Sequence, residues 1–526
     1  MKLSLKFLSL LLVFANLTGI LLACNDKASS TPPVDDSTFS ITEEFAITRP
    51  ERPTDVEQES ALTIRSSLEA IGVDARVQGD WYKFEDTIPK NEILVGKTNR
   101  QESIDALSKL GNERDFSVSV HGSKENGFKI VIAATGDKGL TAAVDYFIST
   151  YLSSAESNKL STTLSYNYVF SFPCENITLG ESATPLADYT IVYANDGVTS
   201  ALDPNYGTFV QAAKYEDVAL ALAELLSDAA NVNLNVIPQT SATSDGTPKI
   251  IVGKTDLPDD DFAYKSKFSD IGSYIGKLNA GGNVILAGDN ACAVYAAGEA
   301  FVDALINAKT ALTEFSVEDT KTLIKVACVG DSITHGSTSD DINKYNYPVY
   351  LQRLLGYDYY VEKHGAPGIS MAAADPYAYV NFSSMYSATQ ALKPDVVIIM
   401  LGTNDCNPYD AAKDWSNPSR ARSFTASANA MVKAYRRKNK DVQIYFMTPP
   451  TVPSSTVWNS NVKDYAVPLV TQAATDNECY LIDIYTWSTR NTKVFAADGL
   501  HPKNETYGDL AQAVYDGLKD TVKKPE

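Results

Sequence analysis

From residue 322 onward, short and nearly continuous apolar runs alternate with helical patterns, and this alternation constrains the fold more than any other feature of the chain. The runs fall at 323–329, 359–363, 395–401, 443–447 and 480–484. A strand apolar on both faces must be covered on both, which is the situation of a parallel sheet with crossover helices on either side. The intervening segments have the helical period. Asn417 can cap a helix with Pro418 in its first turn, after which Phe424, Ala428, Met431, Val432 and Tyr435 recur on one face. In the last segment Tyr507, Leu510, Ala511, Val514 and Leu518 form a similar stripe. Residues 321–526 are therefore expected to fold as a three-layer α/β/α sandwich.

Before residue 322 the chain repeats itself. The run EILVGKT from Glu92 to Thr98 returns as KIIVGKT from Lys249 to Thr255. An apolar run at 128–133 leads into a helical pattern at 139–152, and one at 283–288 leads into a pattern at 291–306. Both features recur about 155 residues apart, the mark of a duplicated strand-turn-strand-helix unit. Each copy opens with a strand, at 45–48 and 189–193, followed by an Ala/Leu-rich helix at 57–71 and 215–229. Two small repeated α/β domains are expected, at 41–165 and 186–320, with 153–187 and 307–320 as linkers. Through the I-V-G-K-T element and the late strand-to-helix element, each copy resembles the N-terminal domain of family 20 hexosaminidases and α-glucuronidases. That resemblance implies the company of glycan-active enzymes and assigns no catalytic residue.

At the N-terminus Lys2 and Lys6 precede the apolar run 7–23, the layout of a secretory signal. The run ends in Leu21-Leu22-Ala23-Cys24, which resembles the lipobox of bacterial lipoproteins, although Leu22 is bulkier than usual there. The resemblance implies a signal peptide at 1–23 and lipidation of Cys24. The expected location is the bacterial cell envelope, facing outward, with membrane attachment through the N-terminal lipid. Residues 24–40, rich in Ser, Pro, Asp and Lys, then read as a flexible tether. Beyond the signal no apolar run is judged long enough to span a bilayer. The formal net charge of -20 repels phosphate backbones and argues against nucleic acid as a partner. The cysteines at 174, 292, 328, 406 and 479 lack metal-ligand spacing, so core thiols and no metal are expected.

In an open parallel sheet, ligands sit beyond the carboxyl ends of the strands, and here those positions are polar or glycine-bearing. Gly330-Asp331-Ser332 follows the first strand, Gly365 to Gly368 the second, Gly402-Thr403-Asn404-Asp405 the third, and Asp498 to His501 the fifth. These four elements, in this order, resemble the signature blocks of the SGNH (GDSL) hydrolases. The resemblance covers nearly all of the C-terminal domain and implies a flavodoxin-like sheet. It implies Ser332 as nucleophile, His501 as general base and Asp498 as its orienting carboxylate. For the oxyanion hole it implies the backbone N–H groups of Ser332 and Gly368 and the side-chain amide of Asn404.

The chemistry needs these residue types. A serine hydroxyl is a poor nucleophile without a neighbouring base, and an imidazole can take its proton near neutral pH. The chain has four histidines, at 121, 335, 364 and 501. His121 lies in the first repeat, whereas His335 and His364 follow strands at the active edge and are rivals to His501. Asp498, three residues before His501, can reach Nδ1 of the imidazole. Gly368, without a Cβ, lets the backbone approach a substrate closely. The G-x-S-x-G elbow, the Walker loop, the dinucleotide fingerprint and H-E-x-x-H are all absent, so no cofactor is implied.

An SGNH site implies ester hydrolysis through an acyl-enzyme. Outward anchoring and the upstream domains favour an acylated glycan, and so do aromatics in active-edge segments: Tyr345, Tyr347, Tyr377, Tyr379 and Trp415. The expected activity is removal of O-acetyl groups from polysaccharides or oligosaccharides. A lipolytic or general short-chain acyl esterase is one alternative. An inactive surface glycan-binding lipoprotein is another, against which the complete set of Ser332, Asn404, Asp498 and His501 speaks.

Overall fold

The computed structural model describes residues 37–82, 88–154, 156–195, 210–243, 246–257, 268, 270–410 and 413–525. The expected signal 1–23, Cys24 and all but the end of the expected tether lie outside the described residues. The chain divides into two compact units, one ending at Ser171 and one beginning at Phe172.

The first unit is built on a six-stranded sheet in the order Arg76–Gly79, Phe45–Arg49, Asn91–Val95, Gly127–Ala134, Phe116–Ser123, Ser165–Tyr168. The first four strands are parallel and the last two antiparallel to their neighbours. Side-chain alternation along the strands divides the core. Ile93, Val95, Ile130 and Ile132 meet the helices Asp55–Ala70 and Asp137–Tyr151, while Leu94, Val131 and Ala133 meet Ala106 of Gln101–Leu107.

The second unit begins with a sheet of the same plan: Asn235–Pro238, Thr190–Tyr193, Lys249–Val252, Val284–Gly288, Ser273–Leu278, Ser316–Thr320. Strand for strand, order and direction match the first sheet. The shared I-V-G-K-T motif has a physical reason. Gly96 and Gly253 turn the chain at φ of 76° and 84°, and a Cβ there would lie 2.6 Å from Glu57 Oε1 and 2.9 Å from the Tyr215 ring.

Several sequence expectations need correction here. The segments expected as linkers, 153–187 and 307–320, contain strands, including Ser165–Tyr168 and Ser316–Thr320, which complete the two sheets. These are edge strands whose exposed residues give little apolar periodicity. Thr38–Phe39, at the end of the expected tether, pairs with Leu160–Ser161. The helix Ala291–Ala308 is long and apolar enough, by length and composition, to cross a membrane. Here it is a core helix, with Cys292, Val294, Ala297, Phe301 and Leu305 buried in one cluster.

The rest of the second unit is a sheet in the order Tyr359–Gly365, Ile324–Gly330, Val396–Met400, Gln443–Met447, Tyr480–Ile482, all parallel. This 2-1-3-4-5 order is that of flavodoxin. Val326 and Cys328 face the helices Tyr347–Leu355 and Tyr507–Leu518, whereas Ala327 and Val329 face Pro418–Lys438 and Val467–Asp476. The same alternation continues through Val396–Met400 and Gln443–Met447, giving the α/β/α layers.

This sheet has a sixth strand from outside the domain. Val210–Gln211, in the second repeat, pairs antiparallel with Tyr359–Gly365 at the sheet edge. Around this junction Arg353 Nε lies 2.8 Å from Asp217 Oδ2, Lys321 Nζ lies 2.7 Å from Asp358 Oδ1, and the Tyr295 and Tyr357 rings stack at 4.1 Å. Second repeat and C-terminal domain thus share one apolar core.

Candidate active site

The edge formed by the carboxyl ends of the parallel strands collects the four turns singled out above. Ile324–Gly330 ends directly before Asp331, which caps the short helix Ser332–His335 by accepting the Ile333 N–H on Oδ1 at 2.9 Å. Ser332 is therefore the first helical residue, where backbone N–H groups have no partner within the helix.

His501 reaches this serine from the other side of the edge. Its Nε2 lies 2.8 Å from Ser332 Oγ and its Nδ1 lies 2.6 Å from Asp498 Oδ2. Asp498 Oδ1 also accepts the backbone N–H groups of Leu500 and His501, each at 3.0 Å, which fixes the carboxylate in a local turn. Burial alone would raise the Asp498 carboxyl. The hydrogen bonds from the imidazole and the two N–H groups outweigh it and hold the carboxyl below its usual range. A carboxylate can only accept, so Nδ1 carries the proton and Nε2 offers its lone pair to the serine hydroxyl.

Asp331 is buried beside this chain, and its Oδ2 has no hydrogen-bond partner among the described residues. Burial pushes its carboxyl up to about 6, against the opposing effects of the Ile333 N–H and the nearby His501.

The turns after the second and third strands are tied together. Asn404 Nδ2 donates to Ile369 O at 2.9 Å. The Asp405 carboxylate accepts the Met371 N–H at 2.7 Å and the Ala372 N–H at 2.9 Å. Arg420 adds a hydrogen bond from Nη2 to Asp405 O at 2.9 Å. Gly368 in this loop has φ of 76°, and the position of a Cβ there is open space. Its glycine is thus required by backbone conformation, and its peptide edge stays accessible. Sequence reasoning passed over Asp405, although its place next to Asn404 in G-T-N-D was a signal. A carboxylate in a buried turn needs partners, and here it has the two backbone N–H groups and the Arg420 guanidinium, 3.8 Å from Oδ1.

The rival histidines do other things. His335 Nδ1 lies 3.0 Å from Ser337 Oγ, and burial together with the Lys363 charge pushes the ring down to about 4. His364 is buried, with Nε2 2.9 Å from Glu362 Oε2 and Nδ1 3.0 Å from Thr389 Oγ1. Neither hydrogen bonds to Ser332, and His364 is an interior residue, not an exposed loop histidine. Of the aromatics named from sequence, Tyr347 and Tyr379 are buried in the core and Trp415 is half-buried, its Nε1 donating to Asp405 O. Tyr345 is also half-buried and packs against the core, which leaves Tyr377 as the exposed member of that set.

A flavodoxin-order sheet bearing a hydrogen-bonded Ser–His–Asp chain at its carboxyl edge has the architecture of a serine hydrolase. Comparison with known proteins agrees. Residues 328–508, most of the C-terminal domain, match the model of the GDSL-like lipase/acylhydrolase family. An acetylxylan esterase from Xylanibacter ruminicola is 31% identical over 217 residues, which cover 37% of this chain and 43% of that protein. The chain thus spans less than half the length of that relative. Among solved structures, a lipase/acylhydrolase from Enterococcus faecalis is 20% identical, with 39% of this chain and 100% of that one covered and a TM-score of 0.31. Axe2, an acetylxylan esterase from Geobacillus stearothermophilus, is 18% identical, with 39% and 100% covered and a TM-score of 0.31.

Proposed function

We propose that this protein is a serine carboxylesterase that removes O-acetyl groups from polysaccharides or oligosaccharides. The hydrogen-bonded chain from Ser332 Oγ through His501 to Asp498 carries the reading. As Oγ attacks the ester carbonyl carbon, His501 Nε2 takes the hydroxyl proton and Asp498 stabilises the imidazolium. The tetrahedral oxyanion is received by the N–H groups of Ser332 and Gly368 and the Asn404 amide. Collapse breaks the bond to the sugar oxygen, which leaves with the proton from His501. A water molecule, deprotonated by the same nitrogen, then attacks the acetyl-enzyme, releases acetate and restores Ser332.

The choice of an acetylated glycan draws on the similarity to the Xylanibacter ruminicola acetylxylan esterase. The acidic chain suits a neutral substrate. The signal-like segment 1–23 and Cys24 favour a lipid-anchored protein of the bacterial envelope facing outward, where such glycans are met.

The test is acetate release from acetylated xylan, other acetylated glycans and a short-chain aryl ester by protein lacking residues 1–24, beside Ser332→Ala. Release from a glycan that vanishes in the variant is the expected result. Turnover of the aryl ester alone would keep the mechanism and cancel the substrate. A folded protein inactive on every ester would instead make it a glycan-binding lipoprotein.

A further inference from the structure

The largest exposed aromatic surface at the active edge belongs to residues that the mechanism leaves unused. Tyr409 is 78% exposed, five positions beyond Asn404, and its ring meets Trp458 edge to face at 6.3 Å. The pair is held rigidly. Trp458 Nε1 donates to Thr403 O at 2.8 Å, the carbonyl directly before Asn404. Tyr409 OH donates to Ser455 Oγ at 3.4 Å, and Ser455 caps the helix Thr456–Asn461 that carries Trp458. The neighbouring Ser454 N–H donates at 3.3 Å to Gly499 O, between Asp498 and His501. Hydrogen bonds therefore lock the aromatic pair both to the Asn404 turn and to the Asp498–His501 turn.

An aromatic ring this exposed, fixed in orientation and anchored to both halves of a reaction centre, is a preformed platform. Its setting decides what it holds. Ser455 Oγ accepts from the ring hydroxyl and Asn407 Oδ1 accepts the Tyr409 backbone N–H at 3.0 Å, so polar groups flank this residue, where a fatty acyl chain would need continuous apolar lining. A pyranose ring presents the complementary surface: a face of C–H groups to lie on the aromatic ring and a rim of hydroxyls for the polar neighbours.

We propose that Tyr409, supported by Trp458, is the sugar-stacking subsite of this enzyme, holding a pyranose unit of an acetylated glycan beside the ester under attack. The assignment rests on the acetylglycan reading of the Ser332 site and adds the residues that select a carbohydrate alcohol over other esters.

The experiment compares kcat/KM for acetylated xylo-oligosaccharide and for p-nitrophenyl acetate in the wild type, Tyr409→Ala and Tyr409→Phe. A binding titration of acetylated xylo-oligosaccharide to Ser332→Ala, with and without Tyr409→Ala, is run beside it. Tyr409→Ala is expected to lower the ratio of oligosaccharide to aryl-ester kcat/KM by about tenfold, mostly through KM, and to weaken binding by a similar factor. Tyr409→Phe, which keeps the ring and loses the bond to Ser455, should restore most of the ratio. Equal losses on both substrates, or an unchanged ratio and affinity, would overturn the subsite. If the wild type releases no acetate from the oligosaccharide yet binds it through Tyr409, the substrate reading fails and the subsite stands. Absence of binding to both proteins refutes the subsite as well.

Discussion

Replacing Asp331 by Asn should stabilise this protein at alkaline pH, an unusual expectation for a residue that caps the helix beginning at Ser332. The cap itself survives, because the Asn Oδ1 can still accept the Ile333 N–H that Asp331 Oδ1 accepts at 2.9 Å, and Asn caps as well as Asp. The charge does not survive. Burial has raised this carboxyl from 3.8 to about 6, so between those pH values the folded protein holds a proton that the unfolded chain has released. Stability attributable to Asp331 is therefore fully present below pH 3.8 and falls as the pH rises, with the loss complete above about 6. A shift of about two units corresponds to about 3 kcal/mol. Asn does not titrate, and its amide would stand beside the buried Thr403 hydroxyl. Urea midpoints at pH 8 and pH 4 measure the effect, and Asp331→Asn is expected to gain stability over the wild type at the higher pH by up to about 3 kcal/mol, with the gain shrinking toward zero at the lower. The same substitution removes a negative charge near His501, so kcat on an aryl ester should fall severalfold. A midpoint difference that is the same at both pH values would refute the claim that an ionised, incompletely solvated carboxylate is maintained beside Ser332.

Asn404→Ala removes the proposed side-chain oxyanion donor and should lower kcat by about two to three orders of magnitude while the fold is retained, as steady-state rates and circular dichroism would show. Asp405→Asn leaves one of the Met371 and Ala372 N–H groups facing an amide donor in place of a carboxylate. A cost of about 1–3 kcal/mol in denaturant unfolding is expected, together with a fall in kcat larger than any rise in KM, since the loop that bears Gly368 loses its anchor. A truncated protein of residues 321–526 should be poorly soluble and unfold at far lower denaturant than one beginning at Phe172, because the cut strips the Val210–Gln211 strand and half of a shared core.

The C-terminal domain was legible because its strands are buried on both faces. Val326 to Gly330 and Val396 to Met400 have no polar side to obscure the signal, and the residues that end them are polar or glycine for chemical reasons. The Ser332, His501 and Asp498 triple was legible for a related reason: each sits in a local turn whose sequence is short and particular. What escaped was long-range or amphipathic. Ser165–Tyr168 and Ser316–Thr320 lie on sheet edges with much of their side-chain surface in water, so their sequences read as linkers. Val210–Gln211 is only two residues long, and nothing local in it announces a partner about 150 residues away. Of the aromatics, Tyr347 and Tyr379 are core residues, as most of that set was expected to be, while Tyr409 and Trp458 acquire their place from a contact between two separate loops.

The strand Val210–Gln211 also sets where this architecture can be cut and rejoined. Two copies of one sheet precede the hydrolase, but they are not equivalent modules. The second has lent backbone to the hydrolase sheet and fused its core with it, so exchange at residue 321 would expose a raw strand edge on one product and an apolar helix on the other. The chain's two compact units meet in sequence at Ser171 and Phe172. Recombination must keep the second repeat with the C-terminal domain whose sheet it completes and whose core it shares.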